Sequence, residues 1–244
     1  MSEQEILARA FQEIVKTRRS IRLFDKVPVP EEVVRTALDL ALLAPNSSNL
    51  QPWEFVWVRS TSKKEQLVQA CFSQAAASTA AELIVCIARI DTWRRNCEDM
   101  KIQLKELANQ GVRIPKAATH YYDKLVPMVY SQGPLGFWGV IKKLFVFFLG
   151  LKKPISREPS SISDMKIWAT KSTALACENL MLSLRASGYD SCPLEGIDSK
   201  RIRKLLGLPG QVLIPMVIAI GKRRSDGVTL PRIRADKSWF VREV

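Results

Sequence analysis

Two arginine-rich segments lie near opposite ends of the chain, and the chemistry of both suits an anion. Residues 18–22 are Arg-Arg-Ser-Ile-Arg, and residues 230–234 are Leu-Pro-Arg-Ile-Arg. Planar guanidinium groups form paired, charge-assisted hydrogen bonds with phosphate and also suit electron-rich ring edges. Taken alone, each segment is better explained as a solvated charged edge. An anion site is therefore a hypothesis that the rest of the chain must support.

A polar loop between two apolar elements is the second feature that could bind a ligand. Residues 44–55 contain several short hydrogen-bonding side chains between Pro45 and Pro52, and Trp53 closes the loop. Such a loop can bind a polar ligand through amide and backbone groups while the flanking elements hold it in place. Asn, Ser and Pro are also common turn residues, so on this stretch alone an ordinary turn is the simpler explanation.

A further polar segment follows the longest predicted helix. Within residues 189–198, Pro193 and Gly196 bracket a predicted tight turn that contains Glu195. Asp198 is a suitable N-cap for a short helix over residues 200–206, which Gly207 would end.

The elements that must position these segments alternate between helix and strand. Apolar residues at helical spacing predict helices over residues 2–16, 62–82 and 163–187, a helix that begins near Glu31, and helical structure over 91–127. Continuous apolar runs predict buried strands over 55–58, 83–88 and 216–220. Helices interleaved with strands predict an α+β or α/β sandwich. We expect one domain over residues 1–244.

Residues 133–153 form an apolar and basic helical insertion within that domain. Lys142 and Lys143 interrupt the apolar run, which is too short and too charged to span a bilayer about 30 Å thick. Three interpretations stay open: a lid or dimer element, an interfacial membrane helix with Trp and Phe inserted, and ordinary core.

Composition excludes several classes of site. His120 is the sole histidine and the five cysteines form no CxxC pair, which argues against a metal site, a disulfide framework and a Ser-His or Cys-His relay. The net charge is +13, but the basic residues are dispersed and match no nucleic-acid-binding motif, so we expect no nucleic acid. The first residues lack signal-peptide architecture, which predicts a cytoplasmic protein, peripheral at the inner membrane surface if the insertion contacts lipid.

Taken together and in order, the four segments resemble the flavin (FMN)-dependent nitroreductase family. The resemblance extends from about residue 12 to 234, with 91–160 as the variable part. It implies a nitroreductase-like α-β-α sandwich with a central mixed sheet and an intertwined homodimer. Each of its two FMN sites would be built from both subunits.

The resemblance also assigns roles to particular residues. The segment 18–22 and the tail would bind the phosphate and the pyrimidine edge. The partner subunit would contribute the loop, and Glu195 and Gly196 would lie beside the flavin N5. Some members carry Asn and Lys where this chain has Ser73–Ala76, and Gln74 is the polar substitute. The implied cofactor-binding residues are Arg18, Arg19, Ser20, Arg22, Pro45, Asn46, Ser47, Ser48, Asn49, Gln51, Gln74, Pro193, Leu194, Glu195, Gly196, Arg232 and Arg234.

The implied activity is an FMN-dependent NAD(P)H oxidoreductase. Hydride would pass from NADH or NADPH through N5 to a nitroaromatic, quinone or similar small-molecule acceptor in a ping-pong cycle, and no protein side chain would be the catalyst. Two alternatives stay open: a flavoenzyme of the same fold with another reaction (dehydrogenase, dehalogenase or flavin-fragmenting), and a binding protein of the membrane surface.

Overall fold

Four antiparallel strands form the centre of the protein. The computed structural model describes residues 1–133, 137–228 and 230–244. The strands are β1 (Trp53–Trp57), β2 (Glu82–Ala88), β3 (Asp190–Leu194) and β4 (Leu213–Gly221), in the order β1-β2-β4-β3. Neighbouring strands pair antiparallel. The mixed sheet that we expected is therefore antiparallel in its described strands, with one parallel bridge between Ser20 and Ser191 at the β3 edge.

Helices surround this sheet in a helix-rich α+β fold. They are α1 (Glu3–Thr17), α2 (Glu31–Leu42), α3 (Thr61–Ala70), α4 (Ala75–Thr79), α5 (Trp93–Asn109), α6 (Lys116–His120), α7 (Val126–Tyr130), α8 (Phe137–Gly150), α9 (Ile162–Ala186) and α10 (Ser199–Leu206). A π-turn over Tyr121–Leu125 joins α6 to α7. The Ser2–Glu5 capping box at α1 and the Asp198 cap of α10 confirm two predicted helix starts.

Successive side chains of strand β2 pack against different helices on the two faces of the sheet. Val85 and Ile87 of β2 pack in a core with α3, α4 and α10, whereas Ile84 and Cys86 pack with α2 and α9. Successive residues of a strand point to opposite faces, so a strand that is apolar throughout must be covered on both sides. This arrangement confirms the predicted sandwich. Burying one Ile or Leu side chain contributes about 1.5–3 kcal/mol.

Two segments that were predicted to be helical are interrupted in the structure. The helix predicted over 62–82 is broken into α3 and α4 because Phe72 and Ser73 have φ values of 56° and 48°, outside the helical region. Residues 91–127 also contain a break, which follows α5 at Gly111 with a φ of 84°. Helical periodicity continues across both breaks, so the apolar pattern alone does not reveal them.

The predicted turn over residues 189–198 begins as strand β3. Pro193 has no backbone N–H and argues against a central strand, but β3 is an edge strand, where proline is tolerated. Asp190 at its start is 3% exposed and is held by Arg185 and Arg223. The turn proper follows Leu194.

Helix α8 forms most of the predicted insertion over 133–153. Residues 134–136 of that insertion lie outside the described residues. The side chains of Leu144, Phe147, Phe148 and Leu151 are exposed along its outer side. None of the helices in the described ranges has the length and apolarity needed to cross a bilayer.

Candidate active site

The fold brings the two arginine-rich segments together. Arg232 donates a hydrogen bond to the Lys16 carbonyl at 3.0 Å and another to the Arg18 carbonyl. Arg19 in turn donates to the Leu230 carbonyl at 2.9 Å. Residues more than 200 positions apart in the sequence therefore form one cationic cluster where α1 ends.

The electrostatics of this cluster favour an anion. Partial desolvation, followed by the positive charges of Arg234, Arg19 and Arg18, lowers the pKa of Arg232. Among the described residues, the only acidic partner of the cluster is Glu178, whose carboxylate lies 3.8 Å from Arg18 Nε. Crowded guanidinium groups with one distant carboxylate are stabilised when a dianion binds among them.

A buried ion pair fixes the backbone that carries the first arginine segment. Arg223 Nε donates to Asp190 Oδ2 at 2.8 Å, and Arg223 Nη2 donates to the Thr17 carbonyl at 3.2 Å. Arg185 Nε donates to the Thr17 hydroxyl at 2.9 Å. These bonds tie the end of α1 to β3 and β4. Asp190 is the buried member of this network, and removing it would leave Arg185 and Arg223 without their shared carboxylate.

The ring-facing half of the predicted site lies along β3. Ser20 bridges to Ser191, and the Ile21 amide donates to the Ser191 carbonyl at 3.1 Å. Burial raises the pKa of the Cys192 thiol, and the positive charge of Arg22 opposes that rise, which places Arg22 close to the strand. Residues 18–22 therefore follow the outer edge of β3.

The exposed turn after β3 carries the next two predicted residues. Pro193 and Leu194 end the strand, and Glu195 and Gly196 follow it with exposed side chains or backbone. Gln74 Nε2 donates to the Gly196 carbonyl at 2.8 Å. The fold therefore places Gln74 beside this turn.

The polar loop at residues 45–52 has an unusual backbone that its own side chains help to hold. Ser48, Asn49 and Gln51 have φ values of 60°, 48° and 44°. Non-glycine residues seldom adopt this left-handed region, and each costs about 1–3 kcal/mol unless its surroundings stabilise it. Asn46 Oδ1 accepts a hydrogen bond from the Gln51 amide at 2.8 Å and closes the loop.

Three tyrosines that sequence reasoning missed also support the loop. The Ser48 hydroxyl lies 2.6 Å from the Tyr121 hydroxyl and 3.1 Å from that of Tyr130. Tyr122 donates to the Ser48 carbonyl at 3.2 Å. Burial raises the pKa of Tyr130, so its hydroxyl stays protonated at neutral pH. The sequence shows Tyr121 and Tyr122 as a pair in a charged segment. The π-turn that directs their hydroxyls toward the loop has no sequence signature.

Polar and aromatic side chains around this loop line a cleft of about 600 Å³. That volume is typical of sites for small molecules and cofactors. Pro45 lies beside it and is exposed, and Asn49 faces away, with Nδ2 3.3 Å from Met100 Sδ. Among the residues that line the cleft are Asn46, Ser47, Ser48, Tyr121, Tyr130, Trp168, Lys171 and Ser172.

Within one chain, the loop and the β3 residues lie at opposite edges of the sheet. The loop leads into β1 at one edge, whereas residues 18–22 and 193–196 follow β3 at the other. Three inter-strand spacings separate these edges, or roughly 14 Å. Trp53 pairs with Ala88 and Ala88 with Leu213, which places the loop at the end of the sheet toward which β3 runs. A single chain therefore holds two separate halves of the predicted site.

The fold is an α+β sandwich with four predicted site segments at its two sheet edges, and comparison with known proteins gives the family. A model of the nitroreductase family matches residues 15–222. The chain therefore belongs to the nitroreductase family.

Individual relatives cover nearly the whole chain. An NADH dehydrogenase of Thermus thermophilus is 30% identical over 222 residues, which are 90% of each chain. Nitroreductase NfnB of Mycolicibacterium smegmatis is 29% identical and covers 93% of this chain and 90% of its own. A nitroreductase-like protein of Exiguobacterium sibiricum, solved in complex with FMN, is 26% identical with a TM-score of 0.69 and covers 96% and 97% of the two chains.

Proposed function

We propose that the protein binds FMN and uses it to oxidise NAD(P)H. The cluster formed by Arg18, Arg19, Arg232 and Arg234 supplies guanidinium groups for the phosphate. The convergence of these arginines from both ends of the chain, with Arg232 on the Lys16 and Arg18 carbonyls and Arg19 on the Leu230 carbonyl, is the observation of this structure that fits a bound dianion. The names of relatives, which include NADH dehydrogenase and nitroreductase, support the same reductant and class of reaction.

Ser20, Arg22 and the turn after β3 contribute the ring-binding half. Arg22 provides a cation at the edge of the site, where negative charge on a reduced ring would be stabilised. The exposed Glu195–Gly196 backbone and the Gln74 amide lie together and can donate or accept hydrogen bonds at the face of the ring. When bound, FMN supplies hydride transfer from NAD(P)H to a second substrate. The side chains orient the ring and the substrates.

The single observation that carries this proposal is the separation of the two halves of the site at opposite sheet edges. A second copy of the chain can supply the Asn46–Ser48 loop to the β3 half of its partner, and twofold symmetry then completes both sites. We therefore propose a homodimer with two composite sites. Tyr121 and Tyr130 hold the loop that each copy contributes.

The acceptor is proposed to be a nitroaromatic, a quinone or a similar planar molecule. Tyr121, Tyr130 and Trp168 line the cleft beside the loop, and flat electron-poor rings pack well against such side chains. Because the same cleft would receive both the nicotinamide and the acceptor, the substrates must alternate, which is a ping-pong cycle.

The experiment is an absorbance spectrum followed by anaerobic titration with NADH and NADPH, and then steady-state kinetics with a nitroaromatic and a benzoquinone. We expect a yellow protein, bleaching by at least one nucleotide, and parallel double-reciprocal plots. A colourless protein that takes up no FMN would refute the proposal. Bleaching without turnover of either acceptor would instead indicate another reaction on the same fold.

We also propose that the outer side of α8 contacts an anionic membrane surface. Every charged side chain between Asp123 and Glu158 is basic, and the outer side of α8 and its end exposes Leu144, Phe147, Phe148 and Leu151. Apolar insertion and attraction to anionic lipid add together at such a surface. A twofold contact between two copies would instead bring the lysines of both helices together.

Vesicle co-sedimentation tests this contact. We expect the wild-type protein to pellet with anionic vesicles more than with zwitterionic ones, and Phe147→Ser/Phe148→Ser to stay in the supernatant. Phe72→Ser is the matched control, because Phe72 is 66% exposed but lies at the turn between α3 and α4. Equal pelleting of all three proteins, or none, removes α8 as a membrane contact.

A further inference from the structure

A second cavity of about 450 Å³ lies beneath α8, outside the residues assigned to the cofactor. Its walls come from α7, the inner side of α8 and the segment 153–160. The apolar side chains in these walls include Leu125, Met128, Val129, Phe145, Val146, Leu149 and Ile155, of which Leu125, Met128 and Phe145 are also exposed to solvent. An apolar cavity of this size falls within the range that holds small organic ligands.

The anchoring of α8 explains why this space stays open. Lys142 Nζ donates to the Val129 carbonyl at 2.8 Å and also to the Ser131 carbonyl. Burial lowers the pKa of this amine, and the two carbonyls satisfy it. Near the start of the helix, a Cβ added at Gly139 would lie 2.5 Å from the Ser160 carbonyl oxygen, so the backbones are already in close contact there. The first half of α8 is thus fixed, and its second half spans the cavity without filling it.

The cavity adjoins the cleft at the polar loop. Leu125, Val129, Ser156, Glu158 and Pro159 line both spaces. A ligand whose polar ring lies in the cleft beside Ser47 and Ser48 can therefore extend an apolar chain directly beneath α8. The charged side chains of Lys153, Arg157 and Glu158 also line the cavity but are exposed, and the amine of Lys142 is hydrogen-bonded to backbone carbonyls, so most of the remaining lining is apolar.

We infer that this cavity binds the aliphatic or prenyl tail of the electron acceptor. The acceptor is then an amphiphile, a planar reducible ring with a long hydrocarbon chain, rather than a small nitroaromatic alone. The inference rests on the proposed function for the identity of the ring, but the tail site itself is a property of the α7–α8 cavity.

Calorimetric titration of the purified protein with linear alcohols from butanol to decanol tests the site without turnover. Burial of a methylene is worth up to about a fourfold gain in affinity, so decanol should bind at least about a hundredfold more tightly than butanol. Leu149→Trp should abolish decanol binding because the indole occupies the cavity. Leu144→Trp, which adds the same ring on the 58% exposed outer side, should retain it.

Val146→Phe serves as a second cavity-filling variant in case Leu149→Trp is poorly folded, and thermal melts verify that all three variants are folded.

The tail also has a kinetic readout. The ratio of kcat/KM for a long-tailed benzoquinone to that for a tailless one should exceed about ten in the wild type and fall toward one in both cavity-filling variants. Affinity independent of chain length, or equal decanol binding by Leu149→Trp and Leu144→Trp, would overturn the tail site. Decanol binding by a protein that holds no flavin would refute the proposed function and leave the tail site standing.

Discussion

Two inactive variants of this protein should restore one active site when they are combined in a heterodimer. Arg232→Glu damages the β3 half: it removes two backbone hydrogen bonds and puts a carboxylate among Arg18 and Arg19. Ser47→Phe damages the loop half: it puts a ring into the cleft and removes the contact of the Ser47 hydroxyl with the Tyr130 hydroxyl at 3.0 Å. Because Ser47 is exposed in the single chain, the variant should still fold. Each homodimer then carries two damaged sites.

The expected magnitude follows from the geometry of the two halves. Loss of charge-assisted hydrogen bonds worth about 1.5–3 kcal/mol weakens FMN binding by roughly 10- to 150-fold in the Arg232→Glu homodimer. In the heterodimer, one site combines both damaged halves and the other combines both intact halves. The heterodimer should therefore bind about one FMN per dimer and show about half of the wild-type activity.

The assay requires co-expression of the two variants with different affinity tags and purification over both resins. Flavin is then quantified by absorbance after denaturation, and NAD(P)H oxidation is measured with a benzoquinone. A heterodimer as empty and inactive as its parents would show that each site is built within one chain, and the argument from opposite sheet edges would be refuted. Arg242→Glu, an exposed tail arginine, is the matched charge-reversal control and should behave as the wild type.

Three further predictions concern stability and reactivity. Gly221→Ala should lower the free energy of unfolding in urea by about 1–3 kcal/mol, because the new Cβ would lie 2.9 Å from the buried Phe24 ring; an unchanged midpoint contradicts this packing. The Arg89 guanidinium lowers the pKa of Asp91, so Asp91→Asn should lower the free energy of unfolding by roughly 0.5–1 kcal/mol at pH 7, after allowance for solvent screening. The difference from the wild type should shrink as the pH falls below 3.8, where the carboxyl of the unfolded state becomes protonated. A difference that persists in acid would contradict this prediction. Burial raises the pKa of Cys71 to about 11, so the native protein at pH 8 should leave this thiol unmodified by a disulfide reagent that labels it after unfolding.

Much of the architecture was predictable because each element carries its own local signal. The uninterrupted apolar run in β2 indicated a strand covered on both faces, and the structure buries Leu83 and Ile84 on opposite sides. The ends of α1 and α10 followed from capping residues, whose hydrogen bonds reach only three positions along the chain. The break at Phe72 was missed because non-glycine residues with positive φ have no clear sequence signal, although local hydrogen bonds such as Ser73 N–H to the Val68 carbonyl hold it. The edge strand with Pro193 was missed because its pairing partner, β4, is distant in sequence.

In the candidate site, too, the sequence predicted the types of residue, whereas the tertiary structure determined which of them lie together. The sequence of the four segments was enough to show their resemblance to the family, through the arginines, the amides and the Glu-Gly turn. The chemistry of guanidinium and amide groups depends on the side chain itself and can be read from the residue type. Tertiary structure alone showed that Arg19 contacts the backbone at Leu230, that Tyr121 holds Ser48, and that the β3 half and the loop lie at opposite sheet edges. These relations depend on strand order and on contacts between distant residues, and no local pattern in the chain encodes either.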